Sequence, residues 1–218
     1  MEQNDEYKKI AGIYDFLFSR ALRNLRNTIC TCLSHSKAKN VLDLCCGTGE
    51  QLRMLAANND TLLTGVDLSQ AMLNQARQKS PDTIHYLECN GGNTQLPSAK
   101  YDGIIITFAL HEKPARQHQA IFSEACRLLH PDGQILIADY CTPALKFSSQ
   151  CMSHLAFRSV ERLAGINHYH CYKDWMADDG VEGFLYRNNP GKLSLISEHF
   201  KGCVKLLSVS NQTTGIRL

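Results

Sequence analysis

Short apolar runs alternate with amphipathic segments between residues 41 and 140, and this alternation constrains the fold more than any other feature. The apolar runs predict strands at residues 41–44, 61–67, 84–89, 101–107 and 134–139. The segments between them predict helices at 50–56, 69–77 and 115–129, with Ser69 as an N-cap and a turn at 130–133. Such an alternation is typical of an open, mostly parallel sheet that is doubly wound, with helices on both faces.

The pattern changes on either side of this stretch. Residues 11–34 carry apolar side chains at helical spacing, which predicts one or two N-terminal helices. Further on, we predict helices at 150–163, 172–176 and 193–200 and strands at 204–209 and 213–218, the strands joined through Asn211 and Gln212. We expect a single domain over residues 1–218, made of a helical lid (1–38), a ligand-binding sheet core (39–140), a helical cap (141–200) and closing strands (201–218).

The composition excludes several classes of protein. Lysine and arginine number 23 against 21 for aspartate and glutamate, so the net charge of +2 gives no footprint for nucleic acid or an anionic membrane. The longest nearly apolar run, residues 104–110, is too short to span a bilayer, and the polar start does not predict a signal peptide. The ten cysteines show no paired framework. We therefore expect a cytoplasmic protein with reduced thiols.

Residues with useful chemistry follow the predicted strands directly. A glycine turn at residues 45–49, with the sequence CCGTG, follows the first strand, and Asp67 ends the second. Because parallel strands end at one edge of a sheet, these groups are expected to meet there. A glycine turn lets the backbone approach a ligand, and the acid can accept hydrogen bonds from ribose hydroxyls. Leu52 replaces the third glycine of the dinucleotide fingerprint, which disfavours a pyrophosphate site.

Four segments, in this order, resemble the motifs of one family. They are VLDLCCGTGE from residue 41, GVDLSQAMLNQAR from 65, YDGIIITFALHE from 101 and RLLHPDGQILIADY from 127. Together they resemble the class I S-adenosylmethionine (SAM)-dependent methyltransferases, and they are similar to the C-methyltransferases of quinone biosynthesis. The resemblance implies a Rossmann-like fold and an enzyme that transfers a methyl group from SAM to a small, aromatic or apolar molecule, releasing S-adenosylhomocysteine (SAH).

The resemblance also assigns residues to that site. Gly47 and Gly49 are implied to line the methionine part of SAM, and Asp67 to bind its ribose hydroxyls. Asp43 is implied to fix the glycine turn or to meet the amino group of the ligand. The other implied cofactor-binding residues are Cys45, Leu68, Met72, Asn90, Gly91, Phe108 and Ala109. The implied acceptor-binding residues are Tyr14, Phe18, His111, Tyr169 and Tyr172.

His111 follows the fourth strand, near the position that the resemblance gives the reacting methyl group. A neutral imidazole there could take a proton from a hydroxyl or a carbon acid as a general base. The alternative is a histidine that caps the next helix or bonds to Glu112. His168 and His170 share a face only on a strand, and no cysteine pair has a second pair at ligand spacing, so we predict no metal ion.

Other functions stay open at this stage. An NAD(P)-dependent oxidoreductase on a related fold is disfavoured by the missing glycine, and a nucleic-acid methyltransferase by the near-neutral charge. An arsenite-methylating enzyme needs cysteines to converge in the cap, where Cys141, Cys151 and Cys171 are the candidates. A non-catalytic, SAM-binding scaffold or regulatory protein keeps the same glycine turn and is compatible with the sequence.

Overall fold

One sheet organises the residues described by the computed structural model, which are 22–57, 61–142, 157–159, 161–162, 165–188 and 191–210. Its strands are β1 (Asn40–Leu44), β2 (Leu62–Asp67), β3 (Ile84–Glu88), β4 (Tyr101–Thr107), β5 (Leu129–Tyr140), β6 (Lys192–His199) and β7 (Val204–Ser210). The helices are α1 (Arg23–His35), α2 (Glu50–Ala56), α3 (Gln70–Lys79), α4 (Ala115–Leu128), α5 (Ile166–Ala177) and α6 (Gly180–Asn188).

The strand order is β3-β2-β1-β4-β5-β7-β6. Strands β1 to β5 are parallel, whereas β7 is antiparallel to both β5 and β6. The strand order reverses between β1 and β4, so the carboxyl ends of these two strands flank the switch point at which such sheets bind ligands. The predicted mostly parallel, doubly wound α/β sheet, with a helical insertion before the last two strands, is confirmed.

The apolar pattern explains where the core lies. Val41 and Leu42 in β1 and the residues 104–106 in β4 are fully buried, as expected for central strands covered on both faces. Helix α3 begins at the predicted N-cap, since Oγ of Ser69 accepts a hydrogen bond from the backbone N–H of Met72 at 3.3 Å. These elements leave the strand ends, rather than the strand middles, available to a ligand.

Two predicted elements at the end of the chain are different in the structure. The predicted helix 193–200 is wrong, because Lys192–His199 is the strand β6, paired along its length with β7. Leu193 and Leu195 flank Ser194, a period of two that suits a strand, and the partner strand β7 satisfies the backbone. The hairpin therefore joins β6 to β7 through residues 200–203, and the helical part of the cap ends before β6. The predicted strand 213–218 and its turn at Asn211 and Gln212 lie outside the described residues.

Smaller differences concern β5 and the cap. Strand β5 begins at Leu129 instead of residue 134. The predicted turn 130–133 is therefore an irregularity inside this strand, which pairs with β4 both before and after it. The predicted helix 172–176 is part of the longer helix α5. The predicted helical segment 11–34 is confirmed in its second half by helix α1, and its residues 11–21 lie outside the described residues. Most of the predicted helix 150–163 lies outside them too, although the described residues 157–159 and 161–162 are helical.

Candidate active site

The turn between β1 and α2 has a backbone shape that favours glycine. Cys45, Gly47 and Gly49 have φ angles of 65°, 54° and 73°, in the left-handed region. A Cβ atom added to Gly49 would lie 2.1 Å from Oη of Tyr86, whereas one added to Gly47 meets no described atom within 4 Å. Packing therefore requires glycine at position 49, while Gly47 borders an open space beside its own backbone.

Asp67, at the end of β2, holds this turn from the side. Its Oδ2 accepts a hydrogen bond from the N–H of Gly47, and its Oδ1 accepts one from the N–H of Ser69, both at 2.8 Å. Burial raises the pKa of this carboxyl, although the two N–H groups act to lower it. Each oxygen keeps a lone pair, so the side chain can accept further hydrogen bonds from hydroxyl groups. Leu68 beside it is 61% exposed, and Met72 is half-buried on α3.

Asp43 lies in β1, beneath the glycine turn, and is buried. Its Oδ1 has no hydrogen-bond partner among the described residues. Burial raises the pKa of Asp43 to about 8; the negative charge of Asp67 adds to this rise and Arg26 opposes it. A buried carboxylate oxygen without a partner is costly in the free protein. The atom therefore offers a place for a ligand group that carries N–H donors or a positive charge.

The loop after β3 packs against the same turn. Gly91 is buried, and a Cβ atom on it would lie 3.3 Å from Sγ of Cys45. Asn90 is exposed, and its Oδ1 accepts a hydrogen bond from the N–H of Gly92 at 2.9 Å, so this side chain shapes the loop. Burial raises the pKa of the Cys45 thiol to about 12, so the thiol stays protonated and is a packing group rather than a nucleophile.

The end of β4 lies next to the glycine turn in the sheet. Phe108 has a φ angle of 50°, and its N–H donates a hydrogen bond to the carbonyl of Ala138 in β5 at 2.9 Å. Its half-buried ring lies 5.6 Å from that of Tyr140, and the neighbouring Ala109 is 2% exposed. These contacts hold Phe108 at the edge where the predicted cofactor residues gather.

The predicted acceptor residues come from three parts of the chain. Tyr169 and Tyr172 lie on α5 in the cap, with their rings stacked at 6.4 Å. Tyr172 also meets His111, at a centroid distance of 6.4 Å and nearly at a right angle. Tyr14 and Phe18 lie outside the described residues. The structure thus brings the cap tyrosines close to the end of β4.

His111 is buried after β4, and its hydrogen-bond partner is Asp139 rather than Glu112. Nδ1 of His111 lies 2.7 Å from Oδ1 of Asp139 at the end of β5, and Oδ2 of that carboxylate accepts a hydrogen bond from the N–H of Leu110 at 3.0 Å. Burial acts to lower the pKa of His111, but Asp139 and Glu161 outweigh it and raise the pKa to about 10. The imidazole is therefore fixed in orientation by a strand-end carboxylate.

Two side chains of the cap complete this group. Oε2 of Glu161 lies 3.6 Å from Nε2 of His111 and 2.8 Å from Nδ1 of His168. Nε2 of His168 lies 2.9 Å from Oε2 of Glu112. We name His111, Glu112, Asp139, Glu161 and His168 the histidine–carboxylate cluster. The cluster joins two strand ends to the cap.

Charge explains the remaining pKa values in the cluster. Burial acts to lower the pKa of His168, but Glu112 and Glu161 raise it to about 9. Burial acts to raise the pKa of Glu161, but the imidazoles of His111 and His168 together lower it to about 2. The pKa of Glu112 is lowered as well, because Lys113 and the imidazoles outweigh its burial. Glu112 and Glu161 are therefore ionised at neutral pH.

Sequence reasoning missed part of this cluster. Asp139 ends a predicted strand, so the rule that found Asp67 could have found it. Glu161 gave no signal, because it lies in a helical segment with no motif. The sequence pairs His168 with His170 as possible metal ligands. Both lie on helix α5, where they point in different directions: His168 is half-buried and His170 is exposed.

The chain is similar to known methyltransferases in both sequence and fold. A family profile described as a methyltransferase domain matches residues 41–133, which span β1 to the start of β5. The plantazolicin methyltransferase BpumL, solved in complex with SAH, has the same fold, with a TM-score of 0.68 at 15% identity over 96% of this chain and 91% of that one. The fold is therefore the Rossmann-like fold of class I methyltransferases, and residues 41–133 match a methyltransferase domain.

Two curated methyltransferases are similar to this chain in sequence. The demethylmenaquinone methyltransferase of Listeria welshimeri is 30% identical over 145 residues, which cover 64% of this chain and 60% of the relative. The enzyme of the same name from Bacillus licheniformis is 26% identical over 186 residues, which cover 81% of this chain and 79% of the relative. The chain thus spans about three fifths of the Listeria relative. Among the described residues, no helix is long and apolar enough to cross a membrane.

Proposed function

We propose that this methyltransferase transfers a methyl group from SAM to a small, aromatic or apolar molecule and releases SAH. The observation that carries the proposal is the position of Asp67, whose carboxylate accepts hydrogen bonds from the N–H groups of Gly47 and Ser69. This pairing fixes an acid beside a glycine turn at the carboxyl edge of the sheet, next to the switch point between β1 and β4. Nucleoside ligands suit such an arrangement, because ribose hydroxyls pair with a carboxylate.

The residues at this edge fit the separate parts of SAM. The unpartnered Oδ1 of Asp43 suits the ammonium group of the methionine part, and Asp67 keeps lone pairs for the ribose. Gly47 leaves room for a ligand against the backbone, and the exposed side chain of Leu68 offers an apolar surface to the adenine. When bound, SAM supplies a methyl group on a sulfonium, so the leaving group is already activated.

The aromatic residues beneath the cap support a small apolar acceptor. The ring of Tyr140 lies 5.6 Å from that of Phe108, 4.9 Å from that of Phe157 and 5.3 Å from that of Tyr172. Aromatic side chains of this kind bind apolar molecules and exclude water. The task of the chain is then to align acceptor and methyl donor, and proximity of this kind can lower a barrier by roughly 7–11 kcal/mol in the best intramolecular cases.

The general-base role expected of His111 is not part of this proposal. Its pKa is raised because Asp139 and Glu161 face it, so the imidazole of the free protein holds a proton at neutral pH and cannot accept another. The ring still contributes by its position, since it lies 6.4 Å from Phe108 and 4.6 Å from Tyr140 between centroids. We therefore assign it a place in the wall of the acceptor side.

The test is a calorimetric titration of the purified protein with SAM, SAH and, as a control, NADH. We expect both adenosyl ligands to bind in the micromolar range and NADH not to bind. Asp67→Asn should weaken SAM at least tenfold, which is about 1.4 kcal/mol. Asp102→Asn is the matched control, because Oδ2 of Asp102 also accepts two backbone N–H groups, those of Lys39 and Asn40, both at 2.9 Å, but at the opposite edge of the sheet.

The outcomes separate the alternatives. Binding of NADH without SAM would favour an oxidoreductase, and binding of SAM with no turnover of any acceptor would favour a regulatory scaffold. Equal losses of SAM affinity in Asp67→Asn and Asp102→Asn would contradict the site assignment. Arsenite as acceptor is disfavoured because Cys141 is fully buried and its thiol donates to the carbonyl of Gly202 at 3.1 Å. A cytoplasmic location and the lack of a nucleic-acid partner stay predictions from the composition.

A further inference from the structure

We propose that His111, Glu161 and His168 form a binding site for one divalent transition-metal ion. Each side chain brings one ligand atom within 4.8 Å of the other two, and Oε2 of Glu161 lies 3.6 Å from Nε2 of His111 and 2.8 Å from Nδ1 of His168. These atoms face a common point. Two imidazoles and one carboxylate are a common ligand set for such ions in proteins. The proposal concerns binding of the ion and does not rest on the proposed methyl transfer.

The two cap atoms of this site have no hydrogen bond. Oε2 of Glu161 and Nδ1 of His168 are buried and have no hydrogen bond among the described residues. They form an ion pair at 2.8 Å, and Oε2 of Glu161 also lies 3.6 Å from Nε2 of His111, but the orientation of the first pair does not meet the angles of a hydrogen bond. Buried polar atoms that lack a hydrogen bond are costly. A cation between them would satisfy both atoms at once.

The outer contacts fix which ring nitrogen is free to bind. Nδ1 of His111 pairs with Asp139 at 2.7 Å, and Nε2 of His168 pairs with Glu112 at 2.9 Å. Since a carboxylate only accepts hydrogen bonds, each of these nitrogens carries a proton. In the free protein the other nitrogen of each ring is protonated as well, and binding of the ion displaces that proton and exposes a lone pair. That lone pair is on the atom that faces the common point in each ring. A ligating histidine whose second nitrogen is held by a carboxylate is the usual arrangement at metal centres.

The carboxylate ligand is oriented in the same manner. Oη of Tyr140 donates a hydrogen bond to Oε1 of Glu161 at 2.9 Å, which leaves Oε2 for the ion. Every proposed ligand therefore has one outer partner: Asp139 and Tyr140 in β5, and Glu112 in the segment that follows β4. In each of the three side chains, the outer contact leaves the other polar atom for the ion.

The ligand chemistry selects the class of ion. Imidazole nitrogen suits zinc, cobalt, iron and nickel ions, whereas magnesium and calcium prefer all-oxygen sites. Three protein ligands leave at least one coordination position open to water or to another small molecule. The cluster also carries three carboxylates, so a divalent ion is favoured by charge as well as by ligand type.

The test uses the whole 218-residue chain, stripped of metal with a chelator and titrated with Co²⁺ as the probe. We expect one equivalent to bind and to give visible d–d absorption without a thiolate-to-cobalt charge-transfer band. Glu161→Gln keeps the size of the side chain and an oxygen for Tyr140, and should weaken Co²⁺ at least tenfold. His168→Gln should do the same. His170→Gln, on the same helix but exposed, is the control and should change the affinity less than twofold.

Circular dichroism and thermal melting will show whether each variant is folded. If the Glu161 or His168 variants do not fold, histidine side-chain NMR of the wild type with and without Zn²⁺ decides, because two histidine signals should shift on binding. Absence of Co²⁺ and Zn²⁺ binding to the wild type would overturn the proposal, as would a thiolate band or unchanged affinity in Glu161→Gln. None of these measurements uses SAM, so their result is independent of the calorimetric test above.

Discussion

Replacing each glycine of the turn by alanine should separate folding from cofactor binding. Gly47 and Gly49 both have left-handed φ angles, so alanine at either position costs about 1–2 kcal/mol of backbone strain. The two sites differ in what a new methyl group meets. At position 47 it meets no described atom within 4 Å, whereas at position 49 it would lie 2.1 Å from Oη and 2.8 Å from Cζ of Tyr86.

The consequences for stability follow from these distances. Gly47→Ala should lower the melting temperature by about 2–8 °C, since 1 kcal/mol corresponds to roughly 2–4 °C in a chain of this size. Gly49→Ala should cost more, because Tyr86 must move and overpacking adds about 1–3 kcal/mol. That movement also breaks the 2.8 Å hydrogen bond between Tyr86 and Ser80, worth about 0.5–1.5 kcal/mol. Together these effects should cost Gly49→Ala about 1.5–4.5 kcal/mol more than Gly47→Ala.

Gly47→Ala should lose SAM affinity even though it loses little stability. Gly47→Ala stays folded, yet its methyl group fills the space that the proposed cofactor needs against the backbone. We expect SAM to bind at least tenfold more weakly, about 1.4 kcal/mol, measured by calorimetry on protein shown to be folded by its melting curve. A folded Gly47→Ala protein with wild-type SAM affinity would refute the placement of the cofactor at this turn.

Two further predictions concern buried carboxylates. Hydrogen bonds from Arg127 and from the N–H and Oγ1 of Thr94 lower the pKa of Glu124 to about 2. The ionised Glu124 therefore stabilises the fold above pH 4.5, and this stabilisation is lost as the pH falls towards 2. Glu124→Gln should reduce the free energy of unfolding by about 1.5–3 kcal/mol at pH 7 and by much less at pH 3, in urea titrations. Burial raises the pKa of Asp43 to about 8, so the folded protein binds the extra proton and wild-type stability falls as the pH rises from 4 to 8. Asp43→Asn should therefore be more stable than wild type by at least about 1 kcal/mol at pH 8 and about equally stable at pH 4. It should also bind SAM more weakly. An equal difference in melting temperature at both pH values would contradict this reasoning.

The sheet and the cofactor side of the site could be predicted because both depend on strand ends. Val41–Leu44 and Tyr101–Thr107 read as strands from their apolar runs, and the residues that follow parallel neighbours meet at one edge. Asp67 and Gly47 are twenty positions apart, yet the register between β1 and β2 brings them into hydrogen-bond contact. Strand β6 could not be predicted in this way, because Leu193, Ile196 and Phe200 also fit a helical spacing and only the partner strand β7 decides between the two.

The histidine–carboxylate cluster shows where sequence reasoning stops and why. His111 and Asp139 are 28 positions apart, but they follow Thr107 and Ala138, which are partners in the register of β4 and β5, so their contact was within reach of the strand-end rule. Glu161 and His168 belong to the cap, which meets the sheet through side-chain contacts that no repeat or backbone register specifies. Any rotation of the cap helices would bring other residues over the strand ends. The half of the site that faces the proposed cofactor is therefore fixed by the fold, whereas the half that faces the acceptor depends on how the inserted segment packs, and that is where proteins of one fold differ in function.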